Sequence, residues 1–230
     1  TEIYTLSLHD ALPIYALHHL AVFTLATATV SASDWRQYVG PNFDRTTAEA
    51  LKVSTFPAGG PKALWRVPMP NGFSSFAVAD GRAFTQIARE VEGVEQEVVL
   101  AVAADTGKEL WSQPVGIKRY GHDGGNAGAR GNTGGDGPRS TPTVDGDHVF
   151  VLSSDLVLTS FEAATGKEVW QKDLLKEHGG KNITWKNAAS PVVDGDMIFV
   201  AAGGGKGQAL LALRKRDGGV LWKTEDDAMT

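Results

Sequence analysis

Residues 162–170 read EAATGKEVW, and this stretch decides the fold because the chain repeats it. Residues 103–111 read AADTGKELW, and residues 214–222 read RKRDGGVLW. An alternating apolar run precedes each stretch, as in LVLTSF from Leu156. Further upstream, each copy places an Asp-Gly pair between two β-rich runs, in FAVADGRAFTQI, TPTVDGDHVFVL and SPVVDGDMIFVA. Each repeat therefore contains four strand-like pieces.

The second copy shows how one unit is expected to fold. The Asp145-Gly146 pair supplies the positive φ that a tight hairpin turn needs. Gly166 does the same in the second turn, because glycine has no Cβ to clash with the backbone. Trp170 falls in the last strand of the unit. We predict antiparallel strands at 141–144, 148–153, 156–163 and 168–174.

Four antiparallel strands per repeat predict a blade of a β-propeller. A twisted four-stranded sheet cannot bury both faces alone, so successive blades must stack around a channel. A large indole can fill the gap between neighbouring blades, and its ring N–H needs a backbone carbonyl. We therefore interpret the repeat tryptophans as structural; they are Trp65, Trp111, Trp170 and Trp222. A β-sandwich also has many short strands, but it gives no reason to repeat one turn in every unit.

The repeat resembles a known family. Its Ala-x-x-Thr-Gly-Lys-x-x-Trp pattern is similar to the PQQ-type repeat of quinoprotein dehydrogenases and of BamB-like outer-membrane assembly lipoproteins. Residues 34–45, DWRQYVGPNFDR, resemble the N-terminal W-x-x-F-R-G-P-N motif of PQQ-like propeller proteins. Here Val39 replaces the motif's Arg, and Arg45 stands where Gly is usual. The segments DGPRSTPTVDGD and GGKN-x-x-W also match, so the resemblance covers roughly residues 34–226.

The resemblance implies a propeller of about seven or eight blades, of which this chain holds about three. We predict an incomplete propeller over 62–230, with blades at about 72–115, 137–174 and 186–225. A lone strand at 63–68, carrying Trp65, is expected to complete the last blade by ring closure. The expectation is therefore that further blades follow beyond residue 230.

The first 61 residues divide into three segments. Residues 1–14 lack an initiator Met and resemble translated adapter sequence, so we exclude them from fold reasoning. Residues 15–32 contain an apolar run followed by Val30-Ser31-Ala32, which is typical of a signal peptide and its cleavage site. The alternative is a buried N-terminal helix. We expect export to the periplasm or cell envelope, no membrane span in the mature chain, and an extended segment over 33–61.

Composition excludes several classes of function. The formal net charge is -5, and acidic and basic residues are interspersed, so no basic stripe suits a phosphate backbone. We therefore expect no nucleic-acid partner. The sequence has no cysteine, which excludes disulfides, thiolate metal sites and thiol nucleophiles in these 230 residues.

The candidate site residues stand where the innermost strands begin. Arg139 precedes the second blade's first strand, and Lys186 and Asn187 stand at the matching place in the third. The resemblance implies that basic and amide side chains at such positions hold the carboxylates of a quinone. The alternative is ordinary polar capping of the channel. The glycine-rich stretch 116–138 is either a connecting loop or a binding site; its polar candidates are His122, Asp123, Arg130 and Asp136.

Three functions remain open from sequence. The first is a BamB-like binding or assembly scaffold that holds an envelope protein and needs no catalytic residues. The second, implied by the resemblance, is a PQQ-dependent alcohol dehydrogenase with PQQ and calcium, although its vicinal cysteine pair is absent and no acidic set can be assembled. The third is a propeller that binds a polysaccharide or a small molecule. We favour the non-enzymatic scaffold, with no catalytic or metal-ligating residue assigned.

Overall fold

The computed structural model describes residues 33–49, 55–117, 137–179, 182, 186–202 and 208–224. Within these residues, three four-stranded antiparallel sheets form three blades. Blade 1 has β1 Ala77–Ala79, β2 Arg82–Val91, β3 Val94–Ala103 and β4 Glu109–Ile117. Blade 2 has β5 Thr143–Asp145, β6 His148–Leu152, β7 Val157–Glu162 and β8 Glu168–Asp173. Blade 3 has β9 Val192–Asp194, β10 Met197–Ala201, β11 Leu210–Arg214 and β12 Val220–Lys223.

The strand order confirms the predicted propeller architecture of four-stranded antiparallel blades. In every blade the first strand in sequence lies at one edge of the sheet and the fourth at the other. The first hairpin turn has the same register in each copy, pairing Ala79 with Arg82, Asp145 with His148, and Asp194 with Met197. The repeat seen in the sequence is therefore a repeat of backbone geometry.

The hydrophobic core lies between the blades. In β6, Val149 and Val151 belong to the cluster shared with blade 1, whereas Phe150 and Leu152 belong to the cluster shared with blade 3. This division follows from the period of two in a strand, which sends alternate side chains to opposite faces. Burying one such phenylalanine contributes about 1.5 to 3 kcal/mol. Blade 2 therefore depends on both of its described neighbours for its stability.

One local element differs from the prediction. The strand at 63–68 stays a prediction, because these residues form no ladder with a described strand and the strands expected to pair with them belong to the last blade. The helix α1, Leu174–His178, was not predicted. Its cap explains it, since Asp173 accepts a hydrogen bond from the Lys176 N–H at 3.0 Å and Gly179 closes the helix with a φ of 59°.

The first blade is taller than the second. Its β2 and β3 have 10 residues each, against 5 and 6 in β6 and β7. The added length carries β3 past the β6–β7 turn of blade 2. It places Glu97 at the level of that turn.

Candidate functional site

We name the two ends of the blades by their residues. The lower end holds the Asp-Gly turns, 80–81, 145–146 and 194–195, and the Thr-Gly-type turns, 106–107, 165–166 and 217–218. The upper end holds the segments that lead into the first strands, 137–142 and 186–191, together with the β6–β7 turn at 153–156.

At the lower end, three tryptophans dock onto the blade that follows them in the chain. The indole N–H of a tryptophan donates to a backbone carbonyl in the following blade's Thr-Gly-type turn. The pairs are Trp65 with Ala104 at 3.1 Å, Trp111 with Ala163 at 3.0 Å, and Trp170 with Lys215 at 3.0 Å. The three carbonyls occupy the same position of the repeat, so one contact is used three times.

Each docked ring also lies flat against the turn's glycine. At Gly166 a Cβ would lie 2.6 Å from the Trp111 ring, and the φ there is +73°. Both the backbone conformation and the close approach therefore require glycine. The fourth tryptophan, Trp222, is 41% exposed and packs against Phe199 of its own blade, with ring centroids 5.8 Å apart.

At the upper end, a second repeated contact joins the blades, and sequence reasoning missed it. The backbone N–H of Ser75 donates to the Thr141 hydroxyl at 3.1 Å, and the N–H of Thr141 donates to the Ser190 hydroxyl at 2.9 Å. Both Thr141 and Ser190 stand four residues before an Asp-Gly pair. The recurrence of a hydroxyl residue at that spacing was the available signal.

The three predicted site residues all lie at the upper end. The Arg139 guanidinium lies 5.6 Å from the centre of the Phe73 ring, which is cation–π distance. The Lys186 ammonium forms an ion pair with Asp155 at 2.9 Å. Asn187 is buried and bonds to Ala189, donating to its carbonyl at 3.1 Å and accepting from its N–H at 3.0 Å. All three side chains are therefore engaged by contacts within the chain.

Glu97 is a buried acid that the sequence analysis did not select. One carboxyl oxygen accepts the Ser154 N–H at 2.9 Å, and the other has no hydrogen-bond partner among the described residues. The pKa of Glu97 is raised to about 7, chiefly by burial. The hydrogen bonds of Ser154 and the positive charge of Arg139 act to lower it, and the negative charge of Asp155 acts to raise it. Its signal was a charged residue inside the apolar strand VEQEVVLAVA.

A groove of about 380 Å³ opens at the upper end, where Asp155 and Lys186 form part of its wall. Two ion pairs stand on its walls, Lys186 with Asp155 at 2.9 Å and Lys176 with Asp173 at 2.7 Å. Apolar surface is added by Ile117, Val157 and Leu175. The positive and negative groups balance, so the groove suits a polar ligand or a peptide segment better than a strongly charged one.

The described residues do not by themselves fit a quinone with calcium. A quinone's carboxylates need cations, but the Lys186 ammonium is held by Asp155 and the Asn187 amide by Ala189. In the described ranges, no three His, Cys, Asp or Glu residues group closely enough to hold a metal ion. The loop candidates His122, Asp123, Arg130 and Asp136 lie outside the described residues. The quinone site therefore stays a prediction.

In the part of the chain that the structure covers, no helix has the length and apolar character needed to cross a bilayer. A family model described as outer membrane protein assembly factor BamB matches residues 94–230, more than half of the chain. A search of curated proteins found no match.

Solved structures give the fold. The quinohemoprotein alcohol dehydrogenase of Comamonas testosteroni is 22% identical, with a TM-score of 0.50 over 67% of this chain and 21% of that one. BamB of Moraxella catarrhalis is 15% identical, with a TM-score of 0.41 over 66% of this chain and 36% of that one. This chain thus spans about a fifth of the dehydrogenase and about a third of that BamB. The first likeness supports the propeller fold.

Proposed function

The chain belongs to the family described as outer membrane protein assembly factor BamB, and on this premise we propose that it is an exported binding or assembly module of the cell envelope. The family match over residues 94–230 is the observation that carries the proposal. The module holds a partner, and no reaction step is assigned to it. The partner is an envelope protein; a polysaccharide or small molecule is the alternative occupant.

The upper end has the properties of a binding surface. Its side chains bond to one another and to the backbone, as in the Lys186–Asp155 pair and in Asn182, whose amide donates to the Ser154 carbonyl at 2.6 Å. A surface held in this way loses little conformational entropy when a partner binds. Balanced charges on the groove walls favour specificity over non-specific attraction.

Export accounts for the N-terminal sequence. Cleavage after Ala32 makes Ser33 the first residue, and the Ser33 backbone nitrogen already donates to the Glu49 carboxylate. A new α-ammonium group at Ser33 gains a charge-assisted bond at that position. Mass spectrometry of protein recovered from the periplasm tests this, with a mature mass beginning at Ser33 expected.

Photo-crosslinking tests the binding role. A photo-reactive amino acid replaces Lys176, on the upper groove wall, or Lys167, a matched exposed lysine in a lower-end turn. We expect a discrete crosslink to an envelope protein from position 176 and none from position 167. Equal crosslinking at both positions, or none at either in folded exported protein, contradicts the proposed use of the upper end.

The second candidate is a PQQ-dependent alcohol dehydrogenase. The positions of Arg139 and Lys186 favour it, because both stand where first strands begin, as the resemblance to quinoproteins implies; the ion pair of Lys186 with Asp155 counts against it. The test titrates PQQ in the presence of calcium and follows cofactor absorbance and dye-linked alcohol oxidation. Stoichiometric binding with turnover replaces the scaffold proposal. A folded protein without either response leaves the binding module as the better account.

A further inference from the structure

A short segment near the N-terminus pairs with the first strands of two blades. Trp35 and Val78 exchange two backbone hydrogen bonds, each of 2.8 Å. One residue later, the Arg36 carbonyl accepts the N–H of Val144 at 2.8 Å. Val78 lies in β1 and Val144 in β5, so the segment crosses from blade 1 to blade 2.

The topology shows which side of the blades this segment occupies. The outer edges of β1 and β5 are already paired with β2 and β6. The bonds to Trp35 and Arg36 therefore use the free edges of the first strands. In a propeller these edges face the central channel, so the segment lies on the channel side of blades 1 and 2.

The segment is anchored at the lower end and folded back on itself. The Asp34 carboxylate accepts the N–H of Asp80, in the first Asp-Gly turn, at 3.2 Å. The Trp35 ring covers Gly40, where a Cβ would lie 2.7 Å from the ring and the φ is +84°. The amide of Gln37, which is buried, donates to the Gly40 carbonyl at 3.0 Å.

We propose that residues 34–40 form a plug that closes the central channel at its lower end, so that a ligand reaches the channel only from the upper end. The plug also covers first-strand edges that otherwise offer unpaired backbone groups to other chains. The statement about ligand entry rests on the proposed binding function, whereas closure of the lower end does not. It assigns a role to the sequence motif DWRQYVG, which the repeat does not explain.

Solvent paramagnetic relaxation with a neutral gadolinium chelate tests the plug in the full chain. The probed amides are those of Val78 and Val144, which bond to the segment, and of Val193. Val193 has the same register in blade 3, since it pairs with Ile198 as Val144 pairs with Val149. No described hydrogen bond joins the Val193 amide to the segment. Protection of Val193 from the chelate therefore reports closure of the channel, whereas protection of Val78 and Val144 also follows from their pairing with the segment.

The displacing variant is Gly40→Val, because a side chain there meets the Trp35 ring. Gly60→Val is the matched control, since Gly60 has a φ of +80° and its added side chain has open space. We expect the chelate's effect at all three amides to be small in the wild type and the control, and to rise several-fold in Gly40→Val.

The proposal is overturned if, in the wild type, the chelate relaxes all three amides as strongly as it relaxes an exposed turn amide. If the chelate's effect in Gly40→Val rises at Val78 and Val144 but not at Val193, the segment only covers strand edges and does not close the channel. That result also overturns the proposal. Should Gly40→Val fail to fold, Trp35→Pro removes the N–H donated to Val78 without touching a blade, and the same outcomes apply. The measurement uses no ligand, so its failure is separate from a failure of the crosslinking test.

Discussion

The carboxyl of Glu97, in blade 1, accepts a 2.9 Å hydrogen bond from the backbone N–H of Ser154, in blade 2. Glu97 is fully buried, so this contact ties two blades through an ionisable group. Burial raises its pKa to about 7 from an ordinary value of 4.5. The folded protein therefore holds this proton more tightly than the unfolded chain does.

The first prediction is a pH dependence of stability that Glu97 causes. Because the folded pKa is raised, the contribution is fully present below about pH 4.5 and is lost as pH rises through about 7. We expect the free energy of unfolding to fall by about 3 kcal/mol across that interval. Urea denaturation at several pH values measures it. Glu97→Gln should flatten the dependence and Glu90→Gln, at an exposed site, should not; an unchanged slope in Glu97→Gln contradicts the assignment.

The second prediction concerns Gly166 under the Trp111 ring. Gly166→Ala adds a Cβ 2.6 Å from that ring at a φ of +73°, so strain and overpacking both act, and we expect a loss of about 2 to 4 kcal/mol. Gly146→Ala is the control, because its φ is +55° but nothing lies within 4 Å, and it should lose about 1 to 2 kcal/mol. Chemical denaturation compares the two. Equal losses mean that the ring contact does not constrain the turn.

The third prediction separates the docked tryptophans from the exposed one. Trp111→Phe removes the N–H that donates to the Ala163 carbonyl and leaves that buried acceptor unpaired, so we expect a loss of about 1 to 3 kcal/mol. In the 230-residue chain, Trp222→Phe should change stability by less than about 0.5 kcal/mol, because Trp222 is 41% exposed and its indole N–H has no described carbonyl partner. Comparable losses in the two variants contradict a special role for docking between blades.

The repeat made the fold predictable from the sequence, whereas contacts that occur only once were not predictable. Trp111 and Gly166 recur at fixed spacing, so the sequence alone indicates a blade and its turn. Glu97 occurs once, and its partner Ser154 comes from another blade, so no repeat marks the pair. Lys186 was selected by position, but its pairing with Asp155 depends on a contact across 31 residues of chain.

The short helix was missed for a different reason, whereas the strand at 63–68 stays a prediction because its expected partners belong to the last blade. The helix α1 has only five residues, too few for an apolar periodicity to appear. Its capping residues, Asp173 and Gly179, were the readable signal.

The fourth prediction concerns Lys215, whose ammonium joins blade 2 to blade 3. It donates to the Asp145 carboxylate and, at 2.9 Å, to the Gly195 carbonyl, so it bridges the Asp-Gly turns of both blades. Both partners of the ion pair are partly exposed, so screening by solvent limits the gain, and we expect Lys215→Met to lose about 0.5 to 1 kcal/mol. The loss should shrink in 1 M salt, because ions screen the attraction.

A double-mutant cycle with Asp145→Asn isolates this pair from other effects of the substitutions. Lys167→Met is the control, since its more exposed pairing with Glu162, at 3.7 Å, stays within one blade. We expect measurable coupling for Lys215 with Asp145 and almost none for Lys167 with Glu162→Gln. Additive losses at Lys215 and Asp145 mean that the Gly195 carbonyl alone holds the ammonium. The attachment of blade 2 to blade 3 then depends on Trp170, on the buried core and on the upper-end contacts, such as the Thr141–Ser190 hydrogen bond.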